Sequence, residues 1–449
     1  MTSTLVGKHA VVIGAGMGGL AAAGALAGYF ERVTVLERDA LPFDASARPG
    51  TPQSYHLHGL LVGGQRALGQ LFPNFAEDLA EAGALPLRLN LDFREEFPGF
   101  EPFFPQRDLG GVFYAASRPL IESITRRRVQ KLANVTIRDR CRALEIVAGN
   151  DGSAIGVRFE KIDGLGGMLP TEFVIDASGR GSLTLSFLEA IGRPRPEQTT
   201  IGVDLTYTTT TFAIPEGSRD WKAVVTIPDM LASTKAGYLV PIEGDRWLAL
   251  ISERDSAMPS AEPDEFMDRV KQLQTSTIYD AIKNAQRLDD IHRFRFPESS
   301  WQHYERLGEL PRGLLPIGDA ICRFNPVYGQ GMTVAALEAC MIRDLLRKRI
   351  GEKHPLDKLG QAFLAEVQPL IADVWSHSAV PDFARPQTRG ERPADLENSL
   401  RFGAGLLRLA ARNPEVHKLM MEVRHLIESP SALRDPELVR RVQAEMAEA

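Results

Sequence analysis

Residues 11–30 form a run of twenty positions without a charge, and how that run is read constrains everything else in the chain. Its length and apolarity would suit a membrane span. Its six glycines, four of them at Gly14, Gly16, Gly18 and Gly19, argue otherwise. A Val/Ile-rich strand over 9–13, a tight turn and an Ala-rich helix over 20–29 account for the pattern better. A second strand over 33–36 follows and ends at Glu37. Strand, helix, strand in that order predicts a βαβ unit and a parallel sheet.

The glycine spacing also carries chemistry. Gly14 permits the turn, Gly16 lets the backbone approach a pyrophosphate, and Gly19 lets the helix pack closely on the strand. The helix N-terminus then offers unpaired N–H groups and a positive dipole end to phosphate charge. Glu37 lies 23 positions after Gly14, at a strand end, where a carboxylate accepts hydrogen bonds from a ribose diol. A glycine-rich helix packed on a sheet would explain the glycines but not the answering acid.

Composition closes off other classes. With 449 residues the chain is long enough for two to three domains. Lys+Arg 52 against Asp+Glu 58 gives −6 with no basic block, which excludes a nucleic-acid footprint. Cys141, Cys322 and Cys340 are odd in number and form no CxxC pair, which excludes a disulfide framework and a Cys-based zinc site. Together with an N-terminus that lacks a secretory signal pattern, they predict a cytoplasmic protein without a membrane span.

Further along, residues 48–57 read as an extended loop and 60–72 as a helix. Residues 95–106 hold three prolines and four phenylalanines and predict a domain crossover. A helix over 118–132 is opened by Ser117 as N-cap and Pro119 in the first turn. Strands are expected over 135–138, 142–147, 154–160 and 173–175, with a turn at 149–152. The β-rich stretches 201–214, 221–227 and 237–252 predict an antiparallel sheet. Residues 314–317 return to the first sheet, 332–350 form a helix, and the rest is helical apart from a loop over 381–393.

Two later segments matter. Asp176 to Ser182 follows a buried strand, and Asp176 there is more simply a helix cap than a ligand. Gly318-Asp319-Ala320 leads through Asn325-Pro326-Val327-Tyr328-Gly329-Gln330-Gly331 into a helix. Asp319 at a strand end can hold ribityl hydroxyls, and Pro326, Gly329 and Gly331 leave room for a flat ring. The positive end of the following helix favours an electron-rich ring edge.

Taken in order, segments 14–19, 176–182 and 318–331 resemble the FAD-dependent monooxygenases of the p-hydroxybenzoate-hydroxylase fold. Residues 53–60 and 323–332 look most like bacterial polyether and polyketide epoxidases. The resemblance implies an α/β fold: a Rossmann-like FAD-binding domain with a parallel sheet (1–90, 116–199, 301–350), an interleaved antiparallel-sheet substrate domain (91–115, 200–300) and a helical C-terminus (351–449). It further implies that Gly14, Gly16, Gly19, Glu37 and Arg38 bind the ADP half of FAD, that Arg118 contacts the cofactor, that Asp319 holds the ribityl chain, and that Pro326, Gly329, Gly331 and Met332 line the ring. Cys322 departs from the His found there in many relatives. No W-x-W-x-I-P segment surrounds Trp221, Trp247, Trp301 or Trp375, which speaks against halogenation.

The implied activity is epoxidation or hydroxylation, through a flavin C4a-hydroperoxide, of a lipophilic polyketide-like or aromatic precursor. O2 is the co-substrate; electrons come from NAD(P)H or from reduced flavin supplied by a partner reductase. A reductase or dehydrogenase of unsaturated substrates on the same fold is the alternative, and a non-catalytic flavin binder a third reading. No catalytic side chain is assigned beyond the pocket candidates Pro326 and Gly329. His56 and His58 read as ordinary hydrogen-bonding loop residues; with no third ligand, no metal is expected. Phe97, Phe100, Phe103 and Phe104 fit core packing at least as well as a substrate pocket, and Thr206 with Thr208 to Thr211 reads as an alternating strand. The C-terminal helices leave monomer and homodimer open.

Overall fold

The computed structural model describes residues 5–101, 103–217, 219–229 and 232–447; the outermost positions of the expected domains lie outside them. The uncharged run resolves into strand Gly7–Ile13 and helix Met17–Ala27. Both are buried, which is why charge is absent from them. Strand Gly7–Ile13 sits in the middle of a five-stranded sheet of order Leu314–Pro316, Phe173–Asp176, Gly7–Ile13, Phe30–Leu36, Val135–Arg138. Every pairing in it is parallel. Ile13 is level with Asp176 and Leu36, and Asp176 with Pro316, so the segments after these strands share one edge. In an open parallel sheet that carboxyl-end edge is where ligands bind.

Two glycines build the edge. Gly14 adopts φ +99°, the left-handed region, and a Cβ on Gly19 would stand 1.9 Å from the Gly14 carbonyl oxygen. Helix Met17–Ala27 therefore lies closer to its strand than any side chain would allow. Beside it runs helix Gly331–Lys348, and a Cβ on Gly18 would sit 3.6 Å from that of Ala335. The two helices thus begin next to one another.

The antiparallel sheet has seven strands, in the order Cys322–Arg323, His292–Gln302, Gln198–Ala213, Arg246–Arg254, Lys235–Ile242, Ala223–Thr226, Phe93–Glu96. Its last strand corrects the expected crossover: Phe93–Glu96 pairs in parallel with Ala223–Thr226 before the proline-rich stretch begins. One face packs under helices Pro263–Lys271 and Thr277–Ile282 through Phe212, Trp247, Phe266 and Val270. Because its other face is covered too, Thr206 and Thr208 to Thr211 are all buried, not alternately exposed. Strands Cys141–Ala148, Ala154–Lys161 and Gly166–Pro170 form a separate three-stranded sheet. The third of these was illegible because Gly and Pro dominate it.

Helix Leu359–Phe383 runs through Pro369 and Pro381, so the expected break starts later than 381. Its buried Phe363, Leu364, Val367 and Ile371 join the main core, and that packing outweighs the hydrogen bonds the prolines forfeit. Helices Leu396–Arg412, Pro414–Arg424 and Pro436–Ala447 close a small core of their own around Phe104. Phe97 and Phe100 pack edge-on against Phe104, and Phe103 lies beneath the Arg94 guanidinium. Phe97, Phe100 and Phe104 are packing residues that dock the C-terminal helices. Among the described residues no helix is long and apolar enough to cross a membrane.

Candidate functional site

At the edge of the parallel sheet, Gly16 is the N-cap of helix Met17–Ala27 and offers no side-chain cap; a Cβ there would meet nothing within 4 Å. Gly331 is the first residue of the neighbouring helix, whose N-cap Gln330 makes no side-chain cap, and open space lies where a Cβ on Gly331 would stand. Two helix N-termini thus present free N–H groups and positive dipole ends to one cleft. Neither carries an acidic residue in its first turn.

Asp319 follows strand Leu314–Pro316 into this cleft. Solvent reaches its side chain, yet protein surrounds it on most sides. That enclosure pushes its carboxyl up to about 6, against the pull of Arg323 and Arg118. Below it, Glu338 is buried and accepts the Gly318 N–H at 2.6 Å; burial, helped by Asp319, holds its carboxyl at about 8. Burial also pushes the Cys322 thiol far up, which leaves it an inert packing group beside Asp319.

Glu37 and Arg118 belong to a buried ion network. Glu37 Oε2 accepts the Ala15 N–H at 2.8 Å and faces Arg48 at 3.3 Å, and its Oε1 accepts the Asp39 N–H at 3.0 Å. A carboxylate offers about four acceptor positions, so capacity is left on Oε1. Arg118 donates to Glu122 Oε2 at 2.6 Å and Ser54 Oγ at 3.2 Å, while Arg48 donates to Glu122 Oε1 at 2.8 Å. Burial works to raise the Glu122 carboxyl, but the two guanidiniums outweigh it and hold it below its ordinary value. Arg38 stands apart, exposed and 4.0 Å from Asp39. Arg48 and Glu122 escaped sequence reading. The i,i+4 spacing of Arg118 and Glu122 was the one available signal.

Asp176 turns out to be a cap. Its Oδ2 accepts from Thr184 N–H at 3.1 Å and Thr184 Oγ1 at 2.7 Å, in the first turn of helix Ser182–Ala190. Its Oδ1 takes the Ser178 N–H and hydroxyl.

An apolar cleft adjoins Pro326, Val327, Tyr328 and Gly329. The antiparallel sheet contributes Tyr207, Tyr238 and Leu250 to its wall, and the C-terminal helices contribute Met421, Arg424 and His425. Tyr328 donates to Asp382 at 2.9 Å, Asn325 Nδ2 donates to the same carboxylate at 3.0 Å, and Arg254 pairs with it. This buried cluster fixes the 325–329 turn against helix Leu359–Phe383. Gly329 adopts φ +69°, the left-handed turn that ends the Pro326–Tyr328 segment. With its proton given to Asp382, Tyr328 Oη offers only lone pairs elsewhere.

His56 is buried. Its Nδ1 shares a hydrogen with Thr209 Oγ1 at 2.7 Å, Nε2 has no partner, and its ring lies against Tyr207 and Phe294. Burial, with some help from His58 and His292, lowers its pKa to about 3. His58 bonds the His56 carbonyl at 2.9 Å and is lowered to about 4, first by burial and then by Arg118. Both rings are neutral at pH 7 and poor bases. Among the described residues, no group of three or more His, Cys, Asp or Glu is placed to hold a metal.

No family profile matches the sequence. Protein Rv3254 of Mycobacterium tuberculosis (strain ATCC 25618 / H37Rv) is 31% identical over 421 residues, which is 86% of this chain and 84% of that protein. Among solved structures, PqsL, a probable FAD-dependent monooxygenase from Pseudomonas aeruginosa, superposes with a TM-score of 0.62 at 17% identity, over 84% of this chain and 96% of that one. The flavin-dependent brominase Bmp2 gives 0.67 at 14%, covering 98% and 99%. The flavin-dependent halogenase CmlS gives 0.66 at 15%, covering 95% and 78%. With the parallel sheet, the interleaved antiparallel sheet and the helical C-terminus all in place, the chain belongs to the family of Protein Rv3254 and has the fold of the flavin-dependent monooxygenases and halogenases.

Proposed function

We propose that the chain binds FAD along the edge of its parallel sheet and uses it, with O2, to epoxidise or hydroxylate a lipophilic substrate held in the adjoining cleft. One observation carries this reading: two helix N-termini without side-chain caps, with open space at Gly16 and Gly331, begin side by side at the carboxyl-end edge of the parallel sheet, where Asp319 follows strand Leu314–Pro316. Both glycines leave free the space a ligand would take, so the residues fit the cofactor. Bound and reduced, FAD supplies activation of O2 and transfer of one oxygen atom to an electron-rich carbon.

The chain's own groups do the rest. N–H groups of helix Met17–Ala27 would meet the pyrophosphate charge, with Gly14, Gly16, Glu37 and Arg38 around the ADP half, Gly19 letting that helix pack close on its strand, and Arg118 contacting the cofactor. Asp319 accepts from the ribityl hydroxyls. Pro326, Gly329, Gly331 and Met332 would line the ring, and the positive end of helix Gly331–Lys348 would favour an electron-rich group there. The C-terminal helices close the substrate cleft and help exclude water. Likeness of 53–60 and 323–332 to polyketide epoxidases favours a polyketide-like or aromatic precursor. NAD(P)H or a partner reductase supplies the electrons, in the cytoplasm.

The test is spectroscopic. Purified protein should carry the absorbance of oxidised FAD near one per chain, and Asp319→Ala should lose most of it; full retention would remove Asp319 from the site. Reduced anaerobically and mixed with oxygenated buffer, the holoprotein should pass through an absorbance transient distinct from both end states. One-step reoxidation, with and without a bound alkene or phenol, would favour the reductase reading.

A further inference from the structure

The wall of the apolar cleft carries one ion pair and, among its described residues, no other charged group. Arg424 donates to Glu95 Oε1 at 2.6 Å, and Asn90 Nδ2 donates to Glu95 Oε2 at 3.3 Å. Asn90 Oδ1 is buried without a partner. His425 Nδ1 accepts the Val62 N–H at 3.4 Å, which places its hydrogen on Nε2 as a donor, and burial lowers its pKa to about 3. His417 is lowered to about 4 by burial, and Arg107 is spent on the carbonyls of Ala410 and Ala411, the negative end of helix Leu396–Arg412.

We propose that the Glu95–Arg424 pair makes the cleft selective for uncharged lipophilic substrates bearing a hydrogen-bonding head group. The proposal deepens the reading above and rests on it only in taking this cleft as the substrate site. An ionised head group brought into the cleft would find each countercharge already taken. It would sit desolvated and uncompensated among Leu89, Phe93, Phe113 and Val240. A neutral hydroxyl, N–H or carbonyl, by contrast, needs no countercharge, and Asn90, Tyr328 and His425 set hydrogen-bonding side chains among the apolar lining. The pair therefore works by rejection: each charge cancels the other's attraction for a substrate ion.

Three probes of one shape test this by calorimetric titration of the full-length protein at pH 7.5: 4-octylphenol, 4-octylbenzoate and 4-octylbenzylammonium. The wild type should bind the phenol about tenfold or more tighter than either ion. Glu95→Gln frees Arg424 and should raise affinity for the carboxylate about tenfold; Arg424→Gln frees Glu95 and should do the same for the ammonium. Phenol binding should stay within about threefold in both variants, which also reports that each has folded. Wild-type preference for an ion, binding of none of the three, or unchanged ranking in both variants overturns the proposal. Flavin content is read by absorbance on the same samples. Protein that holds no FAD yet shows the expected ranking would refute the oxygenase reading and leave the selectivity standing.

Discussion

Gly16 and Gly19 share one motif, yet substitution should separate them. A Cβ at Gly16 meets nothing, whereas at Gly19 it lands 1.9 Å from a backbone oxygen. Gly16→Ala should therefore leave the melting temperature within about 2 °C of wild type while bound FAD is lost. Gly19→Ala should cost about 3 kcal/mol or more, because helix and strand must part. Thermal unfolding and flavin absorbance on both variants check this; equal melting temperatures would refute the assigned division of labour. Asp319 and Glu338 make a second contrast. Both carboxyls are raised by enclosure, but Asp319 faces the cleft and Glu338 is spent on the Gly318 N–H.

Elements are tied together here by buried polar groups and by aromatic plugs. Asp382 joins helix Leu359–Phe383 to Arg254 on the antiparallel sheet and to Asn325 and Tyr328 in the turn. Removing that charge would strand a buried guanidinium, so Asp382→Asn should cost about 3–5 kcal/mol. Chemical denaturation measures it, and a loss under about 1 kcal/mol would show that Arg254 finds another partner. Phe104 anchors the three C-terminal helices from a loop some three hundred positions earlier. Phe104→Ala should cost about 3–5 kcal/mol locally. Amide exchange should then quicken across 396–447 while the parallel sheet keeps its protection. Uniform quickening would make the C-terminal helices part of one cooperative unit with the sheet.

On the scale of the whole molecule, buried histidines set the response to acid. His56, His58, His417 and His425 all have pKa values lowered from 6.5 to between about 3 and about 4. The unfolded chain takes up these protons first, so stability falls as pH drops from 6.5 toward 4. Glu338 acts in the opposite sense: raised from 4.5 to about 8, it favours the folded state below 4.5 and gives that up as pH rises through 8. A melting-temperature profile should peak near pH 6.5, fall steeply on the acid side and gently on the alkaline side. Glu338→Gln should flatten the decline between pH 6.5 and 8 and steepen the rise between 4.5 and 6.5; an unchanged profile would assign the alkaline decline to other groups.

The sequence by itself determined the βαβ start, the two-sheet division and the glycine, Asp319 and 325–331 segments, because each rests on local rules of periodicity, turn chemistry and strand-end position. Pro119 and Ser117 likewise announced their helix, and Ser117 Oγ accepts the Leu120 N–H. What it could not give were relations between positions far apart: Arg48 with Glu122, Arg254 with Asp382, Glu95 with Arg424. No period or spacing links such pairs, since each exists only because burial would leave its members uncompensated. The same holds for Pro381, where local preference predicted a break and packing against the core overruled it. Tertiary structure also decided which phenylalanines line the cleft: Phe93 and Phe113 do, while Phe104 is buried in the small C-terminal core. An apolar side chain states only that it must be covered, and the fold alone decides by what.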